Sequence, residues 1–280
     1  MIKKILIVIC TCVCAFCFFK GYQEYWLISM ISEKRTQMNR FYVSSGYQSS
    51  DAYIAHGGGI GEFTYTNCLE AVLDSLKKGF HFIEIDMIET SDGHILGAHD
   101  WKKFKSLVAY KDNSSKSLSF NKVKDLKIKE KYSILTGNNI CDLMKSYPDF
   151  ILVTDKIKNY KLLLKEIPFP DRIICEVFSV NGYRKALRAG IKYPAYCIWD
   201  KDSFDTAVKY KFPIVTMDAK NFFDNEDTIN IVQNLHDSGV TILLFYTSFS
   251  RKDTPEFVKK YVGKAVSKIY TDIWSPDNLP

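Results

Sequence analysis

From Ala52 to the C-terminus, short apolar runs alternate with segments of helical periodicity, which predicts an α/β fold with a parallel sheet. Eight main runs begin at Ala52, Phe82, Phe150, Ile173, Ala195, Ile214, Thr241 and Lys268. No dinucleotide-binding glycine fingerprint accompanies them, so a closed (β/α)8 TIM barrel is favoured over a doubly wound sheet. A third observation agrees. His56, Glu84, Asp86, His99, Asp155 and Asp272 fall at or near the C-terminal ends of predicted strands, where a barrel gathers its chemistry.

The barrel is preceded by a different kind of sequence. Lys3 and Lys4 lead into an uncharged run from Ile5 to Phe19, and Tyr22 to Ile31 extends it. A span must cross roughly 30 Å of hydrocarbon, which the extended segment reaches. No small-x-small cleavage site follows. Residues 1–31 are therefore predicted to be a membrane-spanning or signal helix, 32–51 a polar linker, and 52–280 the barrel. The two lysines stay inside, which puts the barrel outside the cytoplasm, at a cell surface or in a periplasm, or secreted if the segment is cleaved.

Composition bounds the rest. The chain is 46% hydrophobic and 25% charged, as in an ordinary globular protein. A formal charge of +6 is modest for this length. It suits an anionic substrate or a membrane surface, and no nucleic-acid partner is expected. Cys10, Cys12, Cys14 and Cys17 lie in the apolar segment, while Cys68, Cys141, Cys175 and Cys197 are scattered like small buried hydrophobes. Their spacing is not that of a zinc site.

Taken in order, the first strand, Ala52–Ala55, ends at His56, and a glycine loop (Gly57, Gly58, Gly59, Gly61) leads to Asn67. Apolar spacing predicts a helix over Leu69–Lys78, stopped by Gly79. A strand over Phe82–Ile88 follows, and Asp92-Gly93 turns into an extended segment, Ile95–His99. Asp100–Lys131 reads as a charged, irregular excursion over the barrel top. Beyond it come a helix near Asn139–Ser146, a strand Phe150–Thr154 and a helix Tyr160–Glu166. Strands over Ile173–Phe178, Ala195–Trp199, Ile214–Met217, Thr241–Tyr246 and Lys268–Ile273 then alternate with helices over Gly182–Ala189, Phe204–Tyr210, Thr228–Asp237 and Glu256–Val262.

Glu84 and Asp86 are one residue apart on a strand, so their side chains share a face. Phe82, Ile83, Ile85 and Met87 around them predict burial, and two buried carboxylates repel unless a proton or cation separates them. Oxygen ligands at this spacing suit magnesium or calcium. His56 and His99 end separate extended segments and can act as an acid/base pair across a bound phosphate. His81, His94 and His236 read as structural. The glycine loop lacks the closing GK[ST] of a Walker motif, though its backbone N–H groups can face a phosphate.

Together these residues resemble the glycerophosphodiester phosphodiesterase family, within the phosphatidylinositol phospholipase C-like group. The matching motifs are His56-Gly57-Gly58, Thr66-Asn67, Glu84-Ile85-Asp86, Thr90-Ser91-Asp92-Gly93 and His99-Asp100, with weaker likeness beyond, resting on strand order and the late Thr271-Asp272. The resemblance implies metal-dependent cleavage of a phosphodiester, with His56 and His99 as acid and base and Glu84 and Asp86 as ligands of Mg2+ or Ca2+. It also implies a third acidic ligand on the next barrel strand, near a lysine. Asp155 with Lys156 is the nearest candidate, and Glu176 a fallback. Adjacent strand residues face opposite sides, so Asp155 and Lys156 both point inward only if the strand ends there.

Two positions depart from the family. Gly57 stands where an arginine usually holds phosphate, and Thr66-Asn67-Cys68 replaces Glu-Asn-Thr. Lys156, or Arg172, would supply the missing charge, and Asn67 is a substrate-binding candidate. The expected substrate is a glycerophosphodiester or a lipid or glycan head group. A phospholipase-like enzyme releasing a cyclic phosphate and a non-catalytic barrel binding a phosphorylated ligand remain open alternatives.

Overall fold

The computed structural model describes residues 2–37, 46–222, 226–246 and 254–280, with backbone alone for 2–13, 36, 37, 221 and 222. The described residues form eleven strands: β1 (Tyr53–Ala55), β2 (Phe82–Glu89), β3 (Ile95–Gly97), β4 (Lys127–Ile128), β5 (Tyr132–Ser133), β6 (Ile151–Asp155), β7 (Ile173–Val177), β8 (Tyr193–Ile198), β9 (Ile214–Asp218), β10 (Thr241–Phe245) and β11 (Lys268–Thr271). Eight of them form a parallel sheet in the order β1-β11-β10-β9-β8-β7-β6-β2, and the β1–β2 pairing closes it into the predicted barrel.

The two-residue period of the strands sorts their side chains. Ile83, Ile85 and Met87 of β2 face out toward the helices and join the main core, as do Leu152, Cys175 and Ile269. Ile54, Phe82, Val153, Ile174 and Tyr270 face in and fill the barrel with a separate apolar layer. The same alternation carries Glu84, Asp86, Asp155 and Glu176 inward, above that layer. The cysteines described are all free, and Cys68, Cys175 and Cys197 are buried as expected.

Helices fill the outside: α1 (Ile2–Gln37), α2 (Leu69–Lys77), α3 (Trp101–Leu107), α4 (Phe120–Val123), α5 (Gly137–Ser146), α6 (Tyr160–Glu166), α7 (Val180–Ala189), α8 (Lys201–Tyr210), α9 (Ala219–Phe222), α10 (Glu226–Asp237) and α11 (Pro255–Tyr261). Capping explains why two begin before the predicted residue. The Ser179 hydroxyl accepts from the Gly182 N–H, and Asp200 with Ser203 forms a capping box at α8.

Two expectations are corrected. The segment 100–131 is not irregular. It carries α3, α4 and, with β5, an antiparallel pair β4–β5, organised by a small core in which Trp101, Phe104, Val123 and Ile128 are buried. The predicted linker does not begin at residue 32 either, because α1 continues to Gln37 and its second half packs on the barrel; residues 38–45 lie outside those described. Leu27 and Ile31 are buried, Glu24 pairs with Arg184 and Lys209 at 3.1 Å each, and the Arg35 guanidinium donates to the Lys211 carbonyl. Among the described residues no helix is long and apolar enough to cross a membrane. The apolar run from Ile5 lies mostly on residues whose side chains are outside those described.

At the N-terminal end of the barrel, Lys268 is buried with its ammonium 3.9 Å from the Phe82 ring centre. Burial lowers its pKa from 10.5 to about 7. Below that pH the folded protein bears the cost of a buried charge. Between the two values the folded form has lost a proton that the unfolded chain keeps, so stability rises with pH. Lys268→Met is expected to unfold at a higher temperature than the parent at pH 6, with the advantage shrinking toward pH 10. Melting curves across that range check it, and a constant difference would refute the assignment.

Candidate active site

The site lies at the C-terminal ends of the strands. Glu84 and Asp86 leave β2 on its inner face, and Asp155, paired with Asp86 in the β2–β6 register, joins them from β6. One oxygen from each lies within 4.8 Å of the others, and all three residues are buried. Burial, with Asp86 and then Asp155 nearby, holds the Glu84 carboxyl well above the usual range. Burial, then Asp86 and Glu176, push Asp155 up to about 8 against the opposing pull of Lys156. Asp155 Oδ1 is buried without a hydrogen-bond partner among the described residues. Three convergent hard oxygen donors, one of them orphaned, fit a divalent cation.

The condition on Asp155 and Lys156 is met. β6 ends at Asp155, and Lys156 takes a left-handed backbone (φ 59°) that swings its side chain to the same side. Its ammonium lies 2.6 Å from Asp155 and 4.0 Å from Asp86. Arg172, the other candidate cation, sits at the opposite end of β7. Its guanidinium donates to the carbonyls of Met144, Tyr147 and Pro148, which excludes it from the site.

Supporting contacts come from the glycine loop. The Gly57 N–H donates to Glu84 Oε2 at 2.8 Å. Asn67 is buried, and its side-chain amide donates to Asp86 at 3.0 Å while its carbonyl accepts the Asp86 N–H at 2.9 Å. Asn67 thus faces Asp86 rather than the cavity, and holds a carboxylate in place.

The structure also explains Gly57. It is left-handed (φ 57°, ψ 34°), and a Cβ there would lie 2.8 Å from the Tyr65 Cα. Any side chain there would displace the Tyr65 backbone. Gly57→Ala is expected to cost about 1–3 kcal/mol of stability, the range for a strained backbone position, and to lower activity by displacing His56 and Glu84. Chemical denaturation and turnover measured together check this.

Both predicted histidines line one cavity of 470 Å³ together with the three acids and Lys156. His56 Nδ1 lies 3.3 Å from the Asp272 carboxylate, and its ring is edge-on to Tyr65 and Tyr270 at 4.6 and 5.7 Å. His99 Nδ1 lies 2.7 Å from Asp100 Oδ2. A carboxylate at Nδ1 favours the tautomer with its proton there, leaving Nε2 of each ring to give or take protons. The remaining histidines are elsewhere. His81 pairs with Asp51 at 2.7 Å, His94 with Glu166 at 3.2 Å, and His236 is buried on α10. A cavity of 590 Å³ beside His81 and Arg172 lies at the N-terminal end of the barrel, away from these groups.

Several cavity residues were not foreseen. Lys103, on α3, places its ammonium 5.1 Å from the Tyr65 ring centre and brings a second cation beside His56 and His99. Its position three residues after Asp100, at a helix start, was the available signal. Tyr270 donates its hydroxyl to Glu176, whose other oxygen accepts from Thr216 at 3.3 Å. Glu176, the fallback ligand, is thereby engaged outside the three-acid group.

No family model and no curated protein matches this chain. Solved structures do. A Parabacteroides distasonis glycerophosphoryl diester phosphodiesterase superposes with a TM-score of 0.59 at 18% identity, covering 85% of this chain and 91% of its own. A Thermotoga maritima glycerophosphodiester phosphodiesterase gives 0.59 at 17% identity, covering 79% and 94%. An Oleispira antarctica phosphodiesterase, solved with its product sn-glycerol-3-phosphate, gives 0.59 at 13% identity, covering 79% and 92%. The chain has the fold of these phosphodiesterases, glycerophosphodiester phosphodiesterases among them.

Proposed function

We propose that the protein is a phosphoric diester hydrolase of the glycerophosphodiester phosphodiesterase type, dependent on a divalent cation, Mg2+ or Ca2+. The observation that carries this reading is one cavity holding two carboxylate-braced histidines beside three buried acids, one with an unpartnered oxygen. Glu84, Asp86 and Asp155 would hold the cation, which when bound supplies positive charge to a phosphoryl oxygen.

The chain's own groups do the rest. One of His56 and His99 takes a proton at Nε2 from the attacking oxygen, and the other delivers one to the leaving oxygen. Asp272 and Asp100 keep the rings oriented and stabilise each while protonated. Lys103 and Lys156 offset the charge of the phosphate, the task for which Gly57 provides no side chain. The sn-glycerol-3-phosphate bound by the Oleispira antarctica neighbour supports a small phosphodiester substrate.

We further propose that the N-terminal segment anchors the chain in a membrane with the barrel outside the cytoplasm. The exposed Phe16, Phe18, Phe19, Tyr22 and Tyr25 on α1 support this. The test of function uses the purified full chain, treated with chelator and given glycerophosphocholine with Mg2+ or Ca2+. Release of glycerol phosphate restored by either ion is expected, and silence with both would remove glycerophosphocholine as a substrate. A cyclic phosphate among the products would instead identify attack by a neighbouring substrate hydroxyl.

A further inference from the structure

A second cavity, of 450 Å³, adjoins the catalytic one, and the two share Lys156 and Glu176 as a common wall. Its other polar walls are Lys158 on the loop after β6, and Ser179, Asn181 and Lys185 around the start of α7. Lys158 and Lys185 are exposed and have no ion pair among the described residues, while Lys156 is held by Asp155. Glu176, the acid among the lining residues, is committed to Tyr270 and Thr216. The two ammonium groups without an ion pair, on Lys158 and Lys185, concentrate anions in the cleft.

The apolar side of the cleft is Phe178, 42% exposed. Its ring lies 5.8 Å from that of Trp199 at an interplanar angle of 32°, and Trp199 lines the catalytic cavity. An aromatic edge therefore runs from one cavity to the other. Ser179, Asn181 and the ammonium groups of Lys158 and Lys185 add polar atoms to a wall that also carries Ile157, Tyr160 and Phe178. Hydroxyls, a further negative charge and C–H faces against aromatic rings match what these walls offer.

We propose that this cleft is a second substrate subsite. It takes a hydroxylated, phosphate-bearing unit, the neighbour of the cleaved diester in a polyol-phosphate or sugar-phosphate chain. The preferred substrate is then an anionic oligomer rather than a single glycerophosphodiester. This deepens the phosphodiesterase reading and rests on it for the adjacent catalytic step, but binding in the cleft is measurable without turnover.

The experiment compares the full chain with Lys158→Ala/Lys185→Ala, both positions being exposed and outside the catalytic cavity. Binding of oligo(glycerol phosphate), and separately of a phosphodiester-linked sugar oligomer, is measured by calorimetry in a His56→Asn background. Hydrolysis of each oligomer and of glycerophosphocholine is measured with His56 intact. The double substitution is expected to weaken binding of the preferred oligomer about tenfold, the size of two partly exposed charge contacts, with a shallower salt dependence. Glycerophosphocholine kcat/KM should stay within about twofold, because neither lysine lines the catalytic cavity. Lysine-dependent binding of either oligomer supports the subsite and identifies its chain chemistry. Equal binding by the two proteins, or no advantage of oligomer over monomer, overturns it. Lysine-dependent binding without hydrolysis of any substrate would leave the subsite standing and remove the phosphodiesterase reading instead.

Discussion

Replacing His56 or His99 with asparagine is expected to lower kcat by about 10²–10⁴-fold, the usual contribution of a positioned acid or base. Substrate binding should change little, because in the proposed mechanism the charge that would hold the phosphate comes from Lys103, Lys156 and a cation on the three acids. The effects should not add. Once one proton-transfer partner is gone the other has little left to do, so the double variant should resemble the weaker single one. Steady-state kinetics with equilibrium binding separates the two quantities. A non-catalytic ligand-binding barrel would show neither loss. A KM effect alone would mean that the histidines hold phosphate rather than move protons. Asp272→Asn gives a milder version of the same test, because it removes the charge 3.3 Å from His56 Nδ1 and leaves the ring itself intact.

The second large effect concerns the cation. At 100 times its dissociation constant, a bound ion adds about 2.7 kcal/mol to stability. In a domain of this size each kcal/mol moves Tm by about 2–4 °C, so a rise of roughly 5–10 °C is expected. Glu84→Gln or Asp155→Asn should abolish that rise. Without metal, the same substitutions should leave Tm equal or higher, since each removes a buried acid that repels its neighbours.

The pH dependence has a definite sign. Asp155, at about 8 in the fold against an ordinary 3.8, keeps its proton across an interval where the unfolded chain has lost it. Metal-free stability therefore falls as pH rises through that interval. Cation binding replaces the proton and opposes the fall, so the metal-induced rise in Tm should grow from pH 5 to pH 8. Scanning calorimetry with and without Mg2+ or Ca2+ measures this, and an unchanged Tm would show that the three acids hold protons and no ion.

The sequence was most legible where local periodicity and site chemistry coincide. Glu84 and Asp86 announce a shared face by their spacing, and their apolar neighbours announce burial. His56 and His99 follow short extended segments, and eight such runs separated by helices define the barrel. Capping chemistry at Ser179 and Asp200 was present in the sequence and would have moved two helix starts to their observed residues. The ordered segment 100–131 was harder to see because its core is small and assembled from residues far apart, such as Cys68 with Ile134.

Other features were decided only by tertiary structure. Gly57 looked like a lost arginine, but its left-handed backbone and the nearby Tyr65 Cα strain any side chain there, and neither constraint is visible in sequence. Asn67 looked like a substrate contact, yet both ends of its amide are used by Asp86. Lys103 enters the site because α3 folds back over the barrel mouth, and Arg172 leaves it because the start of a strand is the wrong end. The apolar run from Ile5 and the two lysines before it are a local signal, whereas the docking of Leu27 and Ile31 depends on surfaces of α7 and α8 far along the chain. Local spacing thus determined the barrel, its acid pair and its two histidines, because strand and helix periods are properties of neighbouring residues. The roles of Gly57, Asn67, Lys103 and the second half of α1 were left to the tertiary structure, because each depends on what distant segments place beside it.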